Sequence, residues 1–415
     1  MNVPKIRIKG FDGEWYTARL GQLGATYSGV GFPEKEQGGL KGVPFYKVSD
    51  MNNDGNETIM TNSNNYVTDE QISRNRWKPI EGPAIFFAKV GAAVLLNRKR
   101  LVLTPCLCDN NTMMYCLNLE KWNEYFCLKL FENINLASLA QTGSLPSYNG
   151  TMVENISVYL PQNITEQNQI AEYFGKLDSL IEATGKKITS LKQTKQACLQ
   201  QMFPTYGETT PRIRFRGFEG VWQLRKIGEL GTTYSGLSGK SKADFSLGSA
   251  QYITFLNVLT NAHIDTTIFE SVNIKPGEKQ NKVVKGDILF NTSSETPEEV
   301  GYCSVLMNDV ENLYLNSFCF GFRPYSGTID PEFMVYLMRG QVGRSIMKIL
   351  AQGATRYNLS KNRLCEVTIP IPANNEEQQQ IAAFFSNMDK QIRIQEQKLE
   401  KLKQIKTACI ENMFV

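Results

Sequence analysis

Residues 161–203 read PQNITEQNQIAEYFGKLDSLIEATGKKITSLKQTKQACLQQMF, and residues 372–414 read PANNEEQQQIAAFFSNMDKQIRIQEQKLEKLKQIKTACIENMF. Aligned at an offset of 211, the two stretches agree at 19 of 43 positions. In the first, apolar side chains step by four and three through Ile170, Phe174, Leu177, Ile181, Ile188, Leu191, Cys198 and Met202. The second repeats the pattern with Ile381, Phe385, Met388, Ile392, Leu399, Leu402, Cys409 and Met413. A heptad stripe sustained this long predicts a coiled-coil seam. Both seams break at matching places, Thr184 and Lys195 in one and Gln395 and Lys406 in the other. Polar seam residues penalise slipped registers, so matched breaks predict that the two helices pair with each other rather than each being buried against its own globule. Asn163 and Asn374 each follow a proline (Pro161, Pro372) and precede a glutamate by three residues (Glu166, Glu377), the spacing of a capping box. Each helix then runs roughly 40 residues, or about 60 Å at about 1.5 Å per residue.

Outward from the helices, residues 4–29 (PKIRIKGFDGEWYTARLGQLGATYSG) return as residues 211–236 (PRIRFRGFEGVWQLRKIGELGTTYSG), with 14 of 26 positions identical at an offset of 207. Solenoid repeats have periods of about 20–50 residues; this much longer period is a duplication of whole modules. The chain divides into a first globule (residues 1–162), a first spacer helix (163–204), a second globule (205–373) and a second spacer helix (374–415). Gly10, Phe11, Gly13 and Trp15 recur as Gly217, Phe218, Gly220 and Trp222, where glycine suits a tight turn and the aromatic anchors it in a core. Strands are expected at Ala84–Ala88, Val94–Leu96, Tyr252–Phe255, Asp287–Phe290 and Val367–Ile371. The fold class expected is α+β: two tandem α+β domains, each followed by a long helix, the helices pairing as an antiparallel coiled coil with pseudo-two-fold symmetry.

Composition narrows the function classes. The 41% apolar content is ample for packed cores, and the net charge of +4, from 45 Lys and Arg against 41 Asp and Glu, is mild. The first residues lack the apolar core of a signal peptide, and no stretch reads as a membrane span. With nine cysteines, an odd number, the expectation is a reducing cytoplasm. Cys106 and Cys108 are not spaced like a metal finger and His263 is the one histidine, so no metal site is expected. No phosphate-binding G-x-x-x-x-G-K-[ST] loop occurs, no Asn-Pro-Pro-aromatic or Asp-Pro-Pro-aromatic run, and no G-x-S-x-G elbow around Ser28 or Ser235. No catalytic residue is assigned.

These features together resemble the DNA-specificity subunit of type I restriction–modification enzymes. The resemblance covers essentially the full length. It rests on the order of the four segments, the paired helix starts and ends, GDILFNTSSETPEEVG in the second globule, and the AKVGAA, NRKR and DNN runs in the first. It implies that each globule is a target-recognition domain reading one half of a split sequence in double-stranded DNA. It further implies that the helix pair sets the gap and docks two methyltransferase subunits, with restriction subunits completing the complex. S-adenosylmethionine, ATP and Mg are then expected on the partner subunits only, and this chain is expected to be non-catalytic.

The middles of the globules differ as sharply as their ends agree, the pattern either of one scaffold presenting two readers or of neutral drift. Base edges are read mostly by Arg, Lys, Asn, Gln, Ser and Thr. In the first globule the candidates are Lys89 and the run Asn97, Arg98, Lys99 and Arg100. In the second they are Lys240, Ser241 and Lys242, then Thr292, Ser293 and Ser294, then Arg356 and Tyr357. Tyr27-Ser28 and Tyr234-Ser235 recur in both copies and are poor candidates for telling half-sites apart. A competing reading is a two-headed protein-interaction scaffold; the basic loops Asn97–Arg100 and Lys240–Lys242 favour DNA. A fused nuclease or methyltransferase would need several hundred further residues.

Overall fold

A computed structural model describes residues 2–140, 145–351, 353 and 356–415. The chain forms two compact units: residues 1–185 with 397–415, and residues 186–396. No helix among the described residues is long and apolar enough to cross a membrane.

In the first unit, a four-stranded antiparallel sheet runs in the order Gly24–Ser28, Thr112–Leu117, Ala84–Ala88, Lys99–Val102. The strand Ala84–Ala88 is buried along its whole length, which its unbroken apolar run AIFFA requires. A smaller sheet joins Tyr66–Val67, Val43–Tyr46 and Leu107–Cys108, and a two-stranded clasp pairs Tyr16–Arg19 with Ser157–Leu160. The second unit repeats this plan. Its large sheet runs Gly231–Ser235, Cys319–Pro324, Ile288–Asn291, Cys303–Val305; its small sheet joins Glu270–Val272, Phe245–Ile253 and Leu313–Leu315; its clasp pairs Gln223–Lys226 with Thr368–Ile371. Three of the expected strands fall where the sequence put them. Val94–Leu96 does not: it forms part of a short 3-10 helix, Ala92–Leu96, which turns the chain between two antiparallel neighbours. At Tyr252–Phe255 the strand ends at Ile253 and a helix follows from Phe255.

The long helices span Ile164–Gln201 and Asn375–Met413, and they pack together. In the first unit Lys406 of the second helix reaches Asp178 of the first at 2.7 Å, and Tyr173 meets Cys409 at 3.3 Å. In the second unit Lys195 bonds Asp389, and Lys192 pairs with Glu396 at 2.7 Å. Ascending one helix means descending the other, so the pair is antiparallel. Lys195 and Lys406, the polar breaks in the seams, are therefore the residues that fix its register. Each aspartate also accepts a phenol, from Tyr125 at 2.5 Å and from Tyr336 at 2.9 Å. Burial alone would raise the Asp178 pKa, but Lys129, Lys406 and Tyr125 hold it below the usual value.

The helix starts depart from the expected capping box. Asn163 and Asn374 do accept from the backbone N–H two residues on, at 2.8 Å each. Glu166 and Glu377 instead take bidentate bonds from Arg7 (2.8 and 2.8 Å) and Arg214 (2.6 and 2.7 Å). Both glutamates are buried, where a guanidinium fork is a far better partner than one amide. The same arginines donate to the carbonyls of Gly13 and Gly220, residues with φ of 77° and 80° that turn the chain towards Trp15 and Trp222. The repeated opening is thus a device for seating a helix.

The stripe residues also enter the domain cores, so the reading of a helix lying against its own globule is part of the answer. Ile170, Phe174 and Leu177 lie in the first unit's core together with Met413 and Phe414; Ile381, Phe385 and Met388 lie in the second's with Leu199, Met202 and Phe203. Phe414 contacts Trp15, Phe126 and Phe174 at ring separations of 6.4, 5.3 and 6.1 Å. Phe203 contacts Trp222, Phe333 and Phe385 at 6.2, 5.7 and 5.7 Å. Each core is finished by the tip of one long helix and the root of the other. Removing a buried phenylalanine costs about 3–5 kcal/mol. Phe414→Ala is therefore expected to lower the unfolding midpoint of the first unit and leave the second nearly unchanged, as resolved by hydrogen exchange across the two units.

Candidate nucleic-acid interface

At one end of each large sheet, three strand ends and two loops meet on one backbone framework. In the first unit the Lys89 N–H donates to the Asn111 carbonyl (2.9 Å), Tyr148 N–H to Lys89 (3.2 Å), and Asp109 N–H to Tyr46 (3.0 Å). In the second, Thr292 N–H donates to Phe318 (3.0 Å), Leu359 N–H to Thr292 (2.7 Å), and Asn316 N–H to Ile253 (3.1 Å). The framework therefore matches Lys89 with Thr292, Asp109 with Asn316 and Asn111 with Phe318. Gly29 and Gly236 sit against the carbonyls of Asp109 and Asn316 so closely that any Cβ would collide with them. The backbone is held in common and the side chains differ.

The first unit's end is polar. Asn110 and Asn111 are exposed, and Lys89 is half-buried. Asp109 is buried, one carboxylate oxygen has no hydrogen-bond partner among the described residues, and burial raises its pKa. The second unit's end is basic and aromatic. Phe318 is 54% exposed, and the Arg356 guanidinium lies 5.9 Å from its ring centroid. Lys361 Nζ donates to Ser235 Oγ (2.5 Å) and Asn281 Nδ2 to the Ser235 carbonyl (3.0 Å).

Of the residues singled out from sequence, Lys89, Thr292, Ser293, Arg356 and Tyr357 come together at these ends. Ser293 and Ser294 pair with Asn358 and Tyr357, and both serines are buried, Ser294 bonding Glu299 at 2.7 Å. Thr292 Oγ1 donates to the Phe318 carbonyl at 2.6 Å. Gln352, Ala354 and Thr355, beside Arg356, lie outside the described residues.

The run Asn97–Arg100 is committed largely to the fold. Asn97, in the left-handed region at φ 50°, bonds Ile134 and Leu136. Lys99 is 3% exposed with its ammonium 2.5 Å from the Ile134 carbonyl, and Arg100 donates to the carbonyls of Asn56 and Lys99. Arg98 reaches Asn52 at 2.5 Å. Lys240, likewise, bonds Asn273 and Glu278 at 2.6 Å each, and Ser241 caps the turn at Asp244; Lys242 is exposed. This loop adjoins the sheet end through paired bonds between Ser238 and Gln280 (3.1 and 2.8 Å). Tyr234 is not free either, since its phenol donates to Asp287 at 2.6 Å, whereas its counterpart Tyr27 is 50% exposed. Sequence reasoning missed Phe318, Lys361 and Asn281. Aligning the copies at the 207-residue offset does set Asn111 against Phe318, but no identity nearby marks the place.

Two matched sheet ends, alike in backbone and unlike in surface, mark a duplicated module. The profile of the type I restriction modification DNA specificity domain matches residues 13–193 and again 219–404. The chain belongs to this family. A protein of Methanocaldococcus jannaschii named for the specificity subunit of type I restriction enzyme MjaX is 27% identical over 197 residues, 46% of this chain and under half (45%) of that relative. The fold is that of the type I restriction–modification S subunit from M. genitalium, with TM-score 0.59 and 13% identity, covering 100% of this chain and 99% of that one. A chain solved in work on complex assembly and conformational transition of the type I R-M system gives TM-score 0.56 at 17% identity, with 96% and 97% covered.

The buried Lys99 yields a pH test. Burial lowers its pKa to about 7, with Glu132 pulling the other way, whereas an unfolded lysine titrates near about 10.4. Between those values the unfolded chain holds the extra proton, so stability rises with pH across the window. Lys99→Met removes this dependence. Its stability relative to the parent is expected to be highest near pH 6.5 and to decline towards pH 9.5; a flat difference in thermal midpoint across that range counts against a desolvated ammonium.

Proposed function

We propose that the chain is the non-catalytic DNA-reading subunit of a type I restriction–modification complex, each domain reading one half of an asymmetric, split target in double-stranded DNA. The observation that carries this reading is the pair of sheet ends with one backbone framework and different side chains. A shared frame suits two half-sites approached in the same way, and unlike surfaces suit unlike bases. The antiparallel helices, registered by Lys195–Asp389 and Lys406–Asp178, set the gap between half-sites and offer repeated outer faces to two methyltransferase subunits. Restriction subunits complete the assembly. S-adenosylmethionine, ATP and Mg belong to those partners, and the complex works in the cytoplasm.

The test is to co-express the chain with its methyltransferase and map methylated adenines by single-molecule sequencing. A split, asymmetric motif that disappears when this chain is deleted is the expected result; methylation unchanged by the deletion overturns the reading. Replacing residues 1–162 with the matching domain of another family member is expected to change one half of the motif and leave the other intact.

Register gives a quantitative extension. Seven residues inserted after Gly185 and seven after Glu396 leave both lysine–aspartate pairs inside their own units. The insertion adds about 10 Å of helix, or about three base pairs at about 3.4 Å each. The unread gap is expected to grow by that amount with both half-sites unchanged, and altered half-sites in the methylation map count against a ruler.

A further inference from the structure

We propose that Phe318, with Arg356 against its ring, is a wedge that stacks on the bases of the half-site read by the second domain, and that the first domain lacks this mode. The inference rests on the DNA-reading function above and assigns a chemistry to one of its two readers.

Phe318 is more than half exposed, although the core cluster of Ile253, Leu289, Leu315 and Cys319 lies beside it in sequence and space. Its backbone is clamped on both sides. The Phe318 N–H donates to Asn316 Oδ1 at 2.7 Å, and the Phe318 carbonyl accepts from the N–H and hydroxyl of Thr292 at 3.0 and 2.6 Å. Gly236, packed on the Asn316 carbonyl, fixes the start of the same loop. A rigid loop that holds a phenylalanine in water presents it for contact, because a loose loop would fold the ring away.

The surroundings select the partner. Arg356 is exposed above the ring, and Lys361 stands at the neighbouring strand end on Ser235, with Asn281 bonded to that same serine. Ser294 holds Glu299, and Glu295, next to Ser294, is a second exposed carboxylate of the adjoining loop. An aromatic ring framed by an arginine, a lysine and an amide suits stacked bases between phosphates, where apolar wedges open a base step and cations take the backbone. A purely apolar protein partner would leave these cations unpaired. In the first domain the matched position is the amide of Asn111, and the loop carries no aromatic at Asp109, Asn110 or Asn111. At the matched position that domain offers an amide where the second offers a ring.

The experiment uses the complete complex with its methyltransferase and the mapped target duplex. 2-Aminopurine replaces single bases across each half-site, away from the methylated adenine. With the parent complex, fluorescence is expected to rise at one step of the second domain's half-site. Phe318→Ala is expected to abolish the rise and weaken binding by on the order of tenfold to a hundredfold. Phe318→Trp is expected to restore both, while probes in the first half-site respond equally in all three. Arg356→Ala is expected to reduce the salt dependence of binding by about one phosphate contact. Parent-like fluorescence and affinity in Phe318→Ala overturn the wedge while leaving the DNA-reading function standing. A parent complex that protects no split target overturns both.

Discussion

The interaction on which the structure turns is the meeting of a lysine late in one long helix with an aspartate early in the other. An apolar heptad seam tolerates sliding by whole heptads, because one layer of aliphatic side chains resembles the next. Lys406 on Asp178 and Lys195 on Asp389 remove that freedom, since a slip would leave a half-buried ammonium and carboxylate apart. With the register set, Phe414 and Phe203 arrive at the tryptophans of the two cores. Arg7 and Arg214 then clamp the helix roots through buried glutamates. Electrostatics sets the register of the helices, and Phe414 and Phe203 complete the two largely aliphatic cores.

The two sheet ends show how a duplicated module diversifies without refolding. The framework that defines each end is made of backbone hydrogen bonds and two glycines pressed against carbonyls. None of these contacts consults the side chain at position 111 or 318. Asparagine and phenylalanine are therefore equally acceptable to the fold, and the surface is open to variation in a way that Trp15 or Glu166, each buried and partnered, is not.

Legibility in the sequence follows the range of the physics involved. The helices, their pairing and the glycine–tryptophan turns were readable because their determinants are periodic or local. The partner of Glu166 was not, because a spacing of three residues is what a capping box looks like, while the arginine that wins lies 159 residues away. Val94–Leu96 read as a strand from its composition, yet Gly91 and Asn97, both at positive φ, bracket it as a turn. The run Asn97–Arg100 looked like an exposed basic face; the half-buried backbone carbonyl of Ile134 claims two of its side chains. Phe318 was invisible for the opposite reason, since it alternates with Phe320 and Phe322 as the residues of one strand face do, and those two are core.

The finishing of each core by a distant helix tip bears on how the chain is made. A ribosome releases residues in order, and domains ordinarily close as their last residue emerges. Here the first core needs Met413 and Phe414, which are synthesised after the whole of the second globule. At about 5–20 residues per second, that delay is on the order of 10–50 s. Throughout it the first domain presents Trp15, Phe126 and Phe174 with the last ring of their cluster missing, and full closure of the first domain waits for residues 413 and 414.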